Sequence, residues 1–185
     1  MTAMIVAHGD GTHEHCQVPR TSSSPRKQLN GFLNRYEPAI AARARASIAL
    51  LRKRLPTATQ LVYDSYNALA IGFGPSDRAS EAIFSVAVYP RWVSLFFLQG
   101  ATLPDPEGLL RGGGKRVRHI VLNDAKALQM PAVEALISAA LMAARKPLDS
   151  NAKRSLLIKS VSAKQRARRP SPAARNLRRH APKSE

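Results

Sequence analysis

Five strand-like segments follow one another between two helical patterns, and most of the links between them are short. Their β-branched and aromatic residues, bounded by turn residues, fall at 61–63, 68–73, 82–89, 92–98 and 117–122. Parallel neighbours need crossover connections of about a dozen residues or more, so short links favour antiparallel pairing. The sequence therefore predicts an α+β domain with an antiparallel sheet.

Two amphipathic helical patterns flank these strands. Apolar residues recur at helical spacing over 40–55 and again over 133–144. A proline stands near the start of each pattern and another follows each end, which is typical of helix boundaries. We expect both helices to pack an apolar stripe against the sheet.

Charge and composition divide the chain into three parts. The chain carries 29 Lys and Arg against 12 Asp and Glu, a net charge of +17. Residues 159–185 are rich in basic side chains and lack aromatic ones, so they bury too little apolar surface to offset the entropy of ordering. We predict a disordered N-terminal extension over 1–27, a folded domain over 28–158 and a disordered basic tail over 159–185.

The only cysteine, Cys16, excludes an internal disulfide framework and a paired-cysteine metal site. The longest uncharged apolar run, 92–104, is shorter than the ~18 residues that a membrane helix requires. The N-terminus also lacks the apolar core of a signal peptide. We therefore expect a cytoplasmic protein without a membrane segment.

Three segments of the predicted sheet carry a family resemblance. They are LVYDSYNALAIGFGPS from Leu61, AIFSVAVYPRWVSLFFLQGATLPDP from Ala82 and LLRGGGKRVRHIVL from Leu109. Together they resemble the YdhG-like family of domains of unknown function, over roughly residues 30–146. The resemblance implies a small bacterial domain, cytoplasmic, with an antiparallel sheet packed against N- and C-terminal helices, and no established enzymatic activity.

For part of that family the resemblance also implies a frataxin-like iron-chaperone role, which we keep as an alternative. Iron handling calls for clustered carboxylates, whereas residues 28–158 scatter nine acidic residues among 17 basic ones. A second group of metal-competent side chains, His8, His13, His15 and Cys16, lies in the N-terminal extension. It lacks the paired spacings of a structural zinc site, so we predict no resident metal.

No catalytic motif is complete. Three glycines precede Lys115, but the spacing of a phosphate-binding loop and its Ser or Thr are missing. His119 is the only histidine in the folded part, and strand alternation places it opposite Arg118. We predict no catalytic residues and no cofactor, and keep an enzyme that acts on an anionic small molecule as a further alternative.

Two candidate binding regions remain. A ligand groove needs an apolar wall and a few polar groups, and the candidate lining residues are Tyr66, Trp92, Lys115 and Arg118. Basic side chains of the tail offer salt-sensitive contacts to phosphates, and the candidates are Lys164, Arg166, Arg168, Arg169, Arg175, Arg178 and Arg179. We therefore predict a non-enzymatic binding module whose tail holds nucleic acid weakly, with an anionic ligand, a protein partner and a homodimer left open.

Overall fold

The computed structural model describes residues 23–169. Its helices are α1 (Pro25–Asn34), α2 (Pro38–Arg54) and α3 (Pro131–Met142). Its strands are β1 (Thr59–Asp64), β2 (Leu69–Gly74), β3 (Phe84–Val88), β4 (Val93–Phe97), β5 (Arg118–Leu122) and β6 (Leu156–Val161), and short 3-10 turns lie at Ala79–Glu81, Gly100–Thr102 and Ala125–Gln129. These elements confirm the α+β class, and within residues 23–169 no helix is long and apolar enough to cross a membrane.

The strands form one six-stranded sheet in the order β5-β4-β3-β2-β1-β6. Neighbours pair antiparallel from β1 through β5, as predicted, but β6 lies parallel to β1. The prediction of a wholly antiparallel sheet was therefore wrong. The long segment 123–155, which contains α3, carries the chain from one edge of the sheet to the other and permits the parallel pairing.

One face of the sheet meets all three helices. Alternate residues of β3, namely Phe84, Val86 and Val88, are fully buried on this face. They belong to the same apolar cluster as Leu33 of α1, Leu51 of α2 and Leu136 of α3. The molecule is thus built of two layers, with the main core between the helices and the sheet.

The N-terminal boundary of the fold lies earlier than predicted. Helix α1 begins at Pro25, and the Ser24 hydroxyl caps it by accepting a hydrogen bond from the Lys27 amide at 3.4 Å. Its core contribution is only Leu29, Phe32 and Leu33, too short a pattern to stand out in the sequence. Residues 1–22 lie outside the described part of the chain.

The predicted boundary between residues 158 and 159 was also wrong. Strand β6 continues to Val161, and beyond it the Arg166 amide donates to the Tyr66 carbonyl at 2.9 Å. An edge strand needs little apolar surface when its backbone pairs with a buried neighbour, here β1. The contacts of the described segment continue through Arg169, and the remainder of the predicted tail, 170–185, lies outside the described residues.

Candidate functional site

The second face of the sheet carries none of the three helices. Directly paired residues share a face, so the pairing register arranges this face in two rows. One row is Arg111, His119, Phe96, Ser85, Gly72, Leu61 and Leu157. The next row is Val121, Ser94, Ala87, Ala70 and Tyr63. We call these two rows, together with Tyr89 and Trp92 at their end, the open face; it contains no Asp or Glu.

Two stacked ring pairs lie on the open face. Tyr89 and Trp92, at the hairpin between β3 and β4, have ring centroids 4.9 Å apart with planes 23° from parallel. Phe96 of β4 and His119 of β5 have centroids 5.0 Å apart and planes at 25°. Trp92 keeps 42% of its surface exposed, and the other three residues are half-buried. The pairs therefore present ring surface to solvent.

The side chains in the middle of the open face are small, and two of them, Ala87 and Ser94, are buried. Ala70, Ala87 and Ser94 adjoin one another across three strands, between the aromatic residues of β4 and β5 and Tyr63 of β1. At one end the segment around Ala82 lies over the sheet, and a Cβ on Gly74 would stand only 2.9 Å from the Ala82 Cα. The accessible part of the open face in β3 to β5 is therefore limited to Ser85, Phe96, His119 and Val121, together with the hairpin end.

The structure does not bring the predicted ligand groove together. Tyr66 and Trp92 lie in hairpins at one end of the sheet, whereas Lys115 and Arg118 lie at the other. Val93, next to Trp92, and Phe97, paired with Arg118, are separated by about 13 Å of strand. Because successive strands reverse direction, the start of β4 lies beside the end of β5, and the four residues cannot line one groove.

The side chains considered for the enzyme alternative do not converge on one site either. The Arg118 guanidinium turns back to the carbonyls of Gly114 and Val117, while His119 stacks on Phe96 on the open face. Lys115 is exposed in the preceding loop. As strand alternation predicted, Arg118 and His119 are on opposite faces, so they do not act on a common substrate atom.

The segment after β6 closes over a buried carboxylate. Asp64 is 1% exposed, and its Oδ1 accepts from Arg168 at 2.8 Å. Its Oδ2 accepts from Arg35 at 2.9 Å and from Gln165 at 2.6 Å. Arg168 is itself 5% exposed and lies over the Tyr36 ring. We call Asp64, Arg35, Gln165 and Arg168 the carboxylate cluster.

This cluster corrects the predicted nucleic-acid set. Arg168 is buried against Asp64 and cannot contact a phosphate. Arg169 donates to the carbonyls of Asn34 at 2.9 Å and Tyr36 at 3.1 Å, where α1 ends. Lys164 and Arg166 are exposed. The other predicted residues, Arg175, Arg178 and Arg179, lie outside the described part of the chain.

Tyr36 connects the cluster to the core. Its hydroxyl donates to the Val88 carbonyl at 2.9 Å and accepts from the Leu69 amide at 3.0 Å. Burial, opposed by the positive charge of Arg168, raises the pKa of Tyr36 to about 12. The phenol is therefore a neutral structural hydrogen-bonding group rather than a base.

A shallow groove of about 280 Å³ lies between α2 and the start of α3. Lys53, Arg54 and Glu134 are its charged lining residues. Arg54 and Glu134 pair with each other at 3.3 Å. Within residues 23–169 no three His, Cys, Asp or Glu side chains gather in a group that could hold a metal ion. The N-terminal histidines and Cys16 lie outside these residues.

No family model, no curated protein and no solved structure matches this chain. The YdhG-like resemblance stays a prediction.

Proposed function

We propose that this protein is a non-enzymatic module that binds single-stranded nucleic acid on the open face. The observation that carries the proposal is the pair of ring stacks, Tyr89–Trp92 and Phe96–His119, on a sheet face free of acidic residues. Bases stack on aromatic rings only when they are not already stacked in a duplex. Single strands offer such bases, and stacking on a protein surface tolerates any sequence.

The charge of the domain supports the same ligand. Residues 23–169 contain 24 Lys and Arg but only nine Asp and Glu. Four of these acids, Asp64, Asp77, Glu81 and Glu134, are held in ion pairs with basic side chains. A surplus of this size attracts a phosphate backbone and releases its counterions on binding.

Basic side chains also lie close to the ring stacks. Arg111 is the direct cross-strand neighbour of His119, so its side chain shares the open face. Arg91 is exposed in the hairpin beside Trp92. Each stack thus has a cation within the same element or the adjacent one, which suits a strand whose bases stack while its phosphates lie alongside. The proposal does not require membership of the YdhG-like family.

The test uses Trp92, the single tryptophan of the chain, as its own reporter. Full-length protein is titrated with short oligo-dT, oligo-U and a duplex of matched length while tryptophan emission is recorded. We expect single strands to quench the emission and the duplex to bind more weakly. Comparison of oligo-dT with oligo-U shows whether DNA or RNA is preferred.

Variants then locate the site. Trp92→Ala and Phe96→Ala each remove one stacking surface, and we expect each to lower the affinity for a labelled oligonucleotide by about 5- to 100-fold. Tyr66→Ala is the matched control, because Tyr66 is 47% exposed but belongs to neither ring stack. Equal affinities for all three variants, or tighter binding of the duplex, would contradict the proposal.

A further inference from the structure

Three arginines from separate segments lie toward the same end of the helix side of the molecule, away from the open face. Arg52 is in the last turn of α2, and its Nε donates to the Gln60 Oε1 at 2.8 Å. The Gln60 amide donates to the Ser155 carbonyl at 2.9 Å, which places Arg154 beside it. Arg26 is in the first turn of α1, a helix that packs against both α2 and β6. We call Arg26, Arg52 and Arg154 the arginine triad.

Among residues 23–169 the triad has no ion-pair partner. None of the ion pairs between described residues involves any of its three members. Burial and then the positive charges of Arg26 and Arg154 lower the pKa of Arg52. Repulsion between the positive charges of the triad is unfavourable, and a bound anion would offset it.

The positive charge at the start of α1 also favours a bound anion. The first turn of a helix favours negative charge, because its free amides carry partial positive charge. Helix α1 has no acidic residue in its first turn and instead has Arg26 and Lys27 there. The arrangement is unfavourable alone and becomes favourable when an anion sits beside the helix start.

We propose that the arginine triad binds a phosphate group. Guanidinium groups match phosphate oxygens with paired, charge-assisted hydrogen bonds, and three of them from three segments can surround one phosphate. Arg26 and Arg154 are exposed and Arg52 is half-buried, so the triad is open to a ligand. This site lies apart from the open face and goes beyond the proposed function, since it binds whether or not the open face holds a strand.

The test measures binding of pyrophosphate to the full-length protein by calorimetry, with chloride at equal ionic strength as the reference. Arg26→Gln and Arg154→Gln are exposed replacements that remove no hydrogen bond described within the fold. We expect each to weaken pyrophosphate binding by about tenfold or more. Arg43→Gln, which removes the same charge nine residues before Arg52 and about two and a half turns away along α2, is the control and should change the affinity by less than about twofold.

The results of the pyrophosphate titration distinguish between the possible outcomes for the triad. Absence of pyrophosphate binding beyond the chloride reference, or equal affinity in the triad variants and the control, overturns the proposal. A short single strand that competes with pyrophosphate for the triad identifies a nucleic-acid backbone as the phosphate source, whereas retained binding in its presence identifies a small phosphorylated ligand. Trp92→Ala should leave pyrophosphate binding unchanged, so the triad and the open face can be confirmed or overturned separately.

Discussion

Asp64 is a buried carboxylate that binds two arginines from distant parts of the chain. In the sequence it is the polar end of a strand, yet Arg35 and Arg168, its partners, are 29 and 104 residues away. Long-range polar pairs leave no periodic pattern, and the basic residues around Arg168 resemble a solvated run. The prediction of Arg168 as a phosphate contact failed for this reason.

We expect Asp64→Asn to lower the free energy of unfolding by about 3–5 kcal/mol, because it leaves the buried Arg168 guanidinium without a counter-charge. Urea denaturation gives the value. Asp77→Asn is the control: Asp77 is 65% exposed and pairs with Lys159 at 3.7 Å, so its loss should cost less than about 1 kcal/mol. Similar losses in both variants would show that the carboxylate cluster does not hold the C-terminal segment.

The raised pKa of Tyr36 predicts that the stability of the fold decreases at high pH. Its pKa is about 12 in the folded state against 10.0 for the ordinary phenol, so above pH 10 the unfolded chain gains stability by ionising first. The contribution is therefore complete below pH 10 and is lost as the pH rises through 12, by about 2–3 kcal/mol. Denaturation of the wild type and Tyr36→Phe across this range should show their stabilities converging. A constant difference would contradict the raised pKa.

Among the elements, those with strong local patterns were predicted and those held by distant partners were not. Strands β2 to β5 and helices α2 and α3 have alternating or helical apolar residues, and the structure confirms them. Strand β6 has only half-buried residues at Leu156, Leu157 and Ile158 and depends on pairing with β1. Strand β6 therefore forms because β1 offers a partner, and not only because of its own residues.

Two shortened chains test the corrected C-terminal boundary. A chain ending at residue 158, the predicted boundary, loses half of β6 and the Arg168 contact, and exposes the edge of β1. We expect it to aggregate and to unfold at a lower temperature than the full chain. A chain ending at Arg169 keeps both features and should match the full chain within about 1 kcal/mol. Thermal denaturation and light scattering distinguish the two, and equal stability of both chains would restore the earlier boundary.

At the scale of the whole molecule, composition predicted a cationic protein but not where a ligand would bind. Tyr89, Trp92, Phe96 and His119 could be assigned to strands or turns from the sequence. Their gathering on one face depends on strand order, direction and register together, and on which face the helices cover. The four residues of the predicted groove satisfied local rules and still separated to opposite ends of the sheet.

The net charge of +17 predicts a strong salt dependence of single-strand binding. Residues 170–185 add four basic residues, Arg175, Arg178, Arg179 and Lys183, so the chain ending at Arg169 should show a slope of log affinity against log salt that is smaller by up to about three. Anisotropy titrations at several salt concentrations measure both slopes. Tryptophan quenching at saturation should be the same for both chains, and its loss with the tail would place the bound bases away from the open face.

The alternation of side chains across a two-layer fold has an evolutionary consequence. In β3 the residues Phe84, Val86 and Val88 pack in the core, while intervening positions such as Ser85 lie on the face that we propose as the binding surface. Mutations at the second set have less effect on stability, so selection can change ligand recognition without destabilising the fold. A lineage of such proteins would keep one half of each strand nearly constant and diversify the other.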